Sequence, residues 1–221
     1  NDMKKIENAD IFIQNGLGLE IFMDKIFTIY PNLKVLDASI NIKNVIKEDE
    51  VNPHVWTSIE NYINQVKEIS QVLIQQNSEN KQIYEENTEK YIKDLEKVEK
   101  QYEEISQELN GQKAICLNEA LEYLAKDIKL EYISLHTDHD ENSMSAESIK
   151  NIINKMNTEN IKIILIGKDD SIKNAEILAN ETNAKIYKLD TVLTGATDKS
   201  AYIDAANRNL EVLKSVLGDE K

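Results

Sequence analysis

Residues 80–107, "NKQIYEENTEKYIKDLEKVEKQYEEISQ", contain neither glycine nor proline and are rich in Glu, Lys and Gln. Tyr84, Thr88, Tyr91, Leu95, Val98, Tyr102, Ile105 and Leu109 recur there at alternating spacings of four and three. That heptad lines one face of an α-helix. The stretch predicts one unbroken helix, roughly 40 Å long at 1.5 Å per residue. Its stop is legible as well, since "NGQ" at 110–112 offers Gly111 as the C-terminal cap.

On either side of this helix, short apolar runs alternate with helical patterns. Before it, "DIFIQN" (10–15) reads as a strand ending in the turn "GLGLE" (16–20). "IFMDKIFTIY" (21–30) reads as a helix and "LKVLDAS" (33–39) as a second strand. Ile59, Tyr62, Ile63, Val66, Ile69 and Leu73 then fall at helical spacing. After it, the strands "KAICLN" (113–118), "LEYISL" (130–135), "IKIILIG" (161–167) and "AKIYKL" (184–189) alternate with the helices "EALEYLAKDI" (119–128), "AESIKNIINKM" (146–156) and "SIKNAEILANET" (171–182). A terminal helix runs from about Ala201 to Leu217. Such alternation predicts parallel sheets covered by helices, an α/β fold with right-handed crossovers. We therefore expect an N-terminal lobe at 1–79 that is short of strands, a linking helix at 80–109 and a C-terminal lobe at 110–221.

Composition narrows the function. The 221 residues suffice for a sizeable core, and a net charge of -14 opposes binding to nucleic acid or anionic membranes. That charge would suit a cation or a basic partner, but taken alone it reads first as a solvated acidic surface that keeps the protein soluble. One cysteine, Cys116, excludes an internal disulfide and a Cys-rich zinc module. Its apolar neighbours mark it as an inert core thiol. No run reaches the ~18 apolar residues that span a bilayer. No signal peptide is visible, and the chain opens without an initiator methionine, as if in mid-pattern.

In open parallel sheets, ligands bind beyond the carboxyl ends of the strands. The residues to weigh there are Asn15, Asn118, Glu119, His136, Asp138, His139, Asp140, Glu141 and Asp190. His54 sits in "VNPHVWTS" (51–58), so all three histidines fall in loops. Imidazole with carboxylate is the donor set of zinc, and of manganese when oxygen dominates. The alternative for "HTDHDEN" (136–142) is a hydrated acidic loop in which Ser143 or Ser145 caps the next helix. No nucleophile elbow, phosphate-binding glycine loop or dinucleotide fingerprint is present. "NGLGLE" lacks the spacing of a phosphate loop, so its glycines read as turn residues.

Taken together, "ENADIFIQNGLGLE" (7–20), "KVLDAS" (34–39), "NPHVWTSIENY" (52–62), "NEALEYLA" (118–125) and "YIDAANRNLEVL" (202–213) resemble the solute-binding proteins of bacterial zinc/manganese ABC transporters. The resemblance covers nearly the whole chain. It implies two Rossmann-like α/β lobes joined by one long rigid helix, with a divalent transition metal held between them. It implies His54 as the histidine of the Asp/Asn-Pro-His-Val-Trp motif and Asp190 as the aspartate after the last strand. A third ligand, usually His or Glu, falls on Asn118, a neutral amide. The family's first histidine would precede residue 1, so the first lobe reads as N-terminally truncated. His136 or His139, with Glu141 behind them, would supply the donor that Asn118 lacks.

The expected function is thus capture of Zn2+ or Mn2+ outside the cytoplasm and delivery to an ABC permease, without catalysis. Membrane association would come only through a lipid anchor outside these residues, or the protein would be periplasmic. The competing reading is an acidic surface interaction protein, adhesin-like, that has lost high-affinity metal binding.

Overall fold

The structure is a computed structural model and describes residues 2–47, 50–135 and 145–219. It divides into two compact units, Asn1–Leu95 and Glu96–Lys221. The boundary falls inside one continuous helix, α4 (Lys81–Leu109). Its heptad face is half-buried at Tyr84, Thr88 and Tyr91, then fully buried at Leu95, Val98, Tyr102, Ile105 and Leu109. In the first unit, the Tyr91 ring meets Tyr62 edge-on at 6.4 Å and the Thr88 hydroxyl donates to Ser70 at 2.7 Å. In the second, the Tyr102 hydroxyl donates to the Ala206 carbonyl at 2.9 Å. One stripe thus serves both units, and each half of α4 is stabilised by the unit it packs on.

The first unit holds α1 (Asp2–Glu7), β1 (Ile11–Gln14), α2 (Asp24–Ile29), β2 (Lys34–Asp37) and α3 (Ile59–Gln76). β1 and β2 pair in parallel, with Ile11 opposite Lys34 and Gln14 opposite Asp37. Two strands alone bury little. Leu36, Val55, Ile59 and Ile63 supply a small core, and Gln65 supplies polar fastening. Buried on α3, its amide donates to Asn15 Oδ1 at 2.8 Å and to Ser39 Oγ at 2.9 Å. The segment expected as one helix at 21–30 is instead a 3-10 turn, Ile21–Met23, followed by the six-residue α2.

Gly16 and Gly18 adopt left-handed φ values of 87° and 86°, the conformation that suits glycine. The backbone N–H groups of Asn15 and Gly16 donate to the Glu20 carboxylate at 2.7 and 3.0 Å. A carboxylate from the chain itself fills the turn that a phosphate loop would leave open. A Cβ added at Gly16 would run into the Asp37 carboxylate. We expect Gly16→Ala to destabilise the protein by about 1–3 kcal/mol, from left-handed strain plus that collision. Gly18→Ala, with open space around its Cβ, should cost less in the same denaturant titration.

The second unit holds β3 (Lys113–Cys116), α5 (Glu122–Asp127), β4 (Glu131–Ser134), α6 (Ala146–Glu159), β5 (Ile163–Gly167), α7 (Lys173–Thr182), β6 (Lys185–Leu189) and α8 (Ala201–Asp219). Its four strands are parallel in the order β4-β3-β5-β6. All five residues of β5, "IILIG", are buried, as expected for a central strand covered on both faces. Ile164, Ile166, Met156, Ala175 and Leu178 form the centre of the core on one side. Local signals place the ends. Ser145 Oγ accepts the Ser148 N–H at 3.0 Å to cap α6. Asn160 and Asn183 turn left-handed to end α6 and α7, and Gly111 follows α4 with φ 79°. Among the described residues no helix is long and apolar enough to cross a membrane.

Candidate metal site

The carboxyl edge of the second unit's sheet gathers Asn118 after β3, Lys168 and Asp170 after β5, and Asp190 after β6. Because β5 lies between β3 and β6, the Asn118–Asp170 and Lys168–Asp190 bonds each join the ends of neighbouring strands. Asn118 Nδ2 donates to Asp170 Oδ2 at 2.8 Å, and Asp170 Oδ2 also accepts the Gly167 N–H at 2.7 Å. Asn118 Oδ1 accepts the Ala120 N–H at 2.8 Å, starting the 3-10 turn Glu119–Leu121. The amide therefore holds the chain in shape at both ends, and one lone pair of its oxygen is spent on a cap.

Asp190 is the buried anion of this edge, 3% exposed. Lys168 Nζ and Arg208 Nη2 both donate to its Oδ2, at 2.8 and 2.9 Å, and the Val192 N–H donates to its Oδ1 at 2.9 Å. Asn209 fixes the backbone, accepting the Asp190 N–H at 2.6 Å and donating to the Asp190 carbonyl at 2.8 Å. Burial works to raise the carboxyl pKa, but the bonds from Lys168, Arg208 and Val192 outweigh it and hold the group below its ordinary 3.8. The unfolded chain therefore takes up this proton first. Asp190 contributes stability above about pH 4, and loses that contribution as pH falls through its lowered pKa. Asp190→Asn should accordingly flatten the acid limb of a stability–pH curve below about pH 4, measured by urea unfolding.

Cys116 is fully buried, and burial pushes its thiol up to about 12, which leaves it unreactive. Glu122, 1% exposed on α5, accepts a hydrogen bond from Ser134 Oγ at the end of β4.

In the first unit, His54 precedes the 3-10 turn Val55–Thr57. Asn52 Oδ1 accepts both the His54 backbone N–H and a bond from His54 Nδ1, each at 3.0 Å. An oxygen that already accepts an amide proton requires Nδ1 to carry its own hydrogen. In the neutral ring the lone pair then resides on Nε2, the tautomer of a metal-ligating imidazole with its other nitrogen anchored. Trp56 packs edge-on against the ring at 5.2 Å. The loop itself is tied down by Asn15, whose Nδ2 donates to the Pro53 carbonyl at 2.9 Å. Asn15, which sequence reasoning placed at a strand end, thus acts as a strap on the histidine loop.

Asn118 and Asp190 share one sheet edge, while His54 belongs to the other unit. His136 and His139, with Glu141, lie outside the described residues. Among the described residues no three or more His, Cys, Asp or Glu side chains form a ready metal cluster. Lys168 and Arg208 carry no local signal in the sequence, because their meeting at Asp190 depends on strand order and on the docking of α8.

The two parallel sheets, the continuous helix shared by both units and the anchored histidine in "NPHVW" (52–56) agree with what known proteins show: the class is that of the solute-binding proteins for metals. The chain belongs to the family described as zinc-uptake complex component A, periplasmic, whose model matches residues 1–216. It is 28% identical to the high-affinity zinc uptake system protein ZnuA of Bacillus subtilis, over 98% of this chain and 74% of that protein. It is 27% identical to a putative metal-binding protein of Thermotoga maritima, over 98% and 78% of the two chains. A manganese-bound mutant of the periplasmic metal binding protein of Candidatus Liberibacter asiaticus superposes with a TM-score of 0.81 at 27% identity, covering 98% of this chain and 84% of that one.

Proposed function

We propose that this chain is the metal-capturing receptor of an ABC importer, carrying Zn2+ or Mn2+ as cargo to a membrane permease. Its place would be outside the cytoplasmic membrane, in the periplasm or on a lipid anchor. The donor candidates are the His54 imidazole in the first unit and the Asp190 carboxylate in the second. The observation that carries this reading is the Asn52–His54 pair, which sets the imidazole in its ligating tautomer. Support comes also from a family match over residues 1–216 and from relatives named for zinc and bound to manganese. The role is capture and release, in which metal favours one arrangement of the protein over others.

Asn118 is a weak third donor because it is neutral and already committed to a cap and to Asp170. The loop at 136–142 provides the stronger one, through His136 or His139. The test is calorimetric titration of Zn2+ and Mn2+ into the protein and its Asn118→Ala, His136→Ala and His139→Ala variants. Loss of affinity in one histidine variant supports the loop donor. If only Asn118→Ala loses binding, the amide is the ligand and the loop assignment is wrong.

A further inference from the structure

We propose that Lys168 and Arg208 act as built-in competitors for the cargo, neutralising Asp190 until a metal ion displaces them and thereby setting the affinity of the site. This inference rests on Asp190 being a metal donor.

All of the groups concerned belong to the second unit. The Asp190 carboxylate is almost completely buried, yet its Oδ2 is taken by an ammonium and a guanidinium and its Oδ1 by a backbone amide. An incoming ion needs lone pairs that these donors now hold. Charge leads to the same conclusion. At the carboxylate itself two cationic side chains face the single anion of Asp190, and Asn118 brings no charge of its own. A divalent cation entering beside both bound cations would be repelled by them at a few ångströms, where screening by water is incomplete. Exchange removes that obstacle. The side chains of Lys168 and Arg208 are 35% and 59% exposed, so their charged heads can swing into water while their stems stay in place. The buried carboxylate then passes from one cation to another and is never left unpaired, the condition that would be costly. The same exchange in reverse favours release, because the chain's own cations return as the metal leaves.

Two residues thus tune affinity without touching the metal. Lys168→Met keeps the length of the stem and removes the charge, and Arg208→Met does the same from α8. Zn2+ and Mn2+ titrations by calorimetry should show each variant binding about tenfold tighter or more, since one repelling charge near the ion is gone. Lys168→Arg retains the charge and should bind within about threefold of the parent. In metal-free protein Lys168→Met should also melt at a lower temperature, because Asp190 has lost one of its partners, and added metal should raise that temperature more than it does for the parent. A purely structural lysine would lower both affinity and melting temperature together. If Lys168→Met and Arg208→Met bind no tighter than the parent, the competition is overturned while the metal receptor reading stands. If neither the parent nor any variant binds either ion, the receptor reading fails and this inference with it.

Discussion

His54→Ala should weaken Zn2+ binding by more than about a hundredfold, roughly 2.7 kcal/mol, and leave the fold intact. The magnitude follows from a comparison: residues that only orient a ligand are worth about 10–100-fold in affinity, so the donor itself should exceed that range. The fold should survive because His54 sits in a turn whose anchors lie elsewhere, in Asn15 to Pro53 and in Ser58, which caps α3 by accepting the Asn61 N–H at 3.3 Å. Asn52→Ala should produce a smaller loss, because the ring remains but the Nδ1 anchor that fixes its tautomer is removed. Ligation also requires a neutral imidazole, so protons compete with metal. Affinity of the parent should therefore fall on acidification, as protonation removes the lone pair. Calorimetric affinities of parent, Asn52→Ala and His54→Ala check this order, with far-UV circular dichroism confirming the fold. Equal affinity for His54→Ala and the parent would remove His54 from the site.

Leu165→Ala should cost about 2–5 kcal/mol of stability, a large effect for a single truncation in the second unit. Leu165 is fully buried on the central strand β5, and its carbonyl accepts the Leu117 N–H at 2.9 Å. Neighbouring strands and helices surround it, so the cavity cannot collapse cheaply. Against a total of about 5–15 kcal/mol for a typical domain, such a loss is severe. Ile177→Ala on α7 provides the contrast. Ile177 is 43% exposed, and its truncation should stay within about 0.5 kcal/mol. Urea titrations followed by circular dichroism separate the two. Similar losses for both would mean that β5 is not the core of its sheet.

The long helix and the buried strand were legible because each carries a strong, repeated pattern. Tyr84 to Leu109 hold one heptad through seven intervals, and the structure keeps that stretch as one helix, Lys81–Leu109. "IILIG" (163–167) is short, wholly apolar and closed by glycine, and it forms the fully buried β5. β3 and β4, joined by a βαβ connection, are neighbours with Lys113 opposite Glu131. Short elements were harder to read. Residues 21–30 and 119–128 show helical spacing, but each begins as a 3-10 turn before its six-residue helix. Over so few residues the two periods can hardly be told apart. The helix α1 (Asp2–Glu7) buries none of its side chains and so left no apolar stripe to find.

The candidate site divides along the same line. His54 stands in a compact motif, and Asp190 follows an apolar strand, so local sequence exposes both. The partners of Asp190 are hidden because Lys168 is 22 residues away and Arg208 is 18 away. Only the order β4-β3-β5-β6 and the docking of α8 bring those charges onto one carboxylate. Asn15 likewise reaches Pro53 across 38 residues of chain. A residue's own position in sequence says nothing of such contacts.

The central claim is that this chain holds a transition metal through an imidazole and a carboxylate. Its most direct test is the zinc-edge X-ray absorption spectrum of the zinc-loaded protein and of its His54→Ala variant at equal metal occupancy. The account predicts a shell of nitrogen and oxygen donors at about 2.0–2.2 Å without sulfur, Cys116 being buried in the core, and imidazole scattering that declines in the variant. A spectrum with a sulfur shell, or imidazole scattering unchanged by removal of His54, would contradict it.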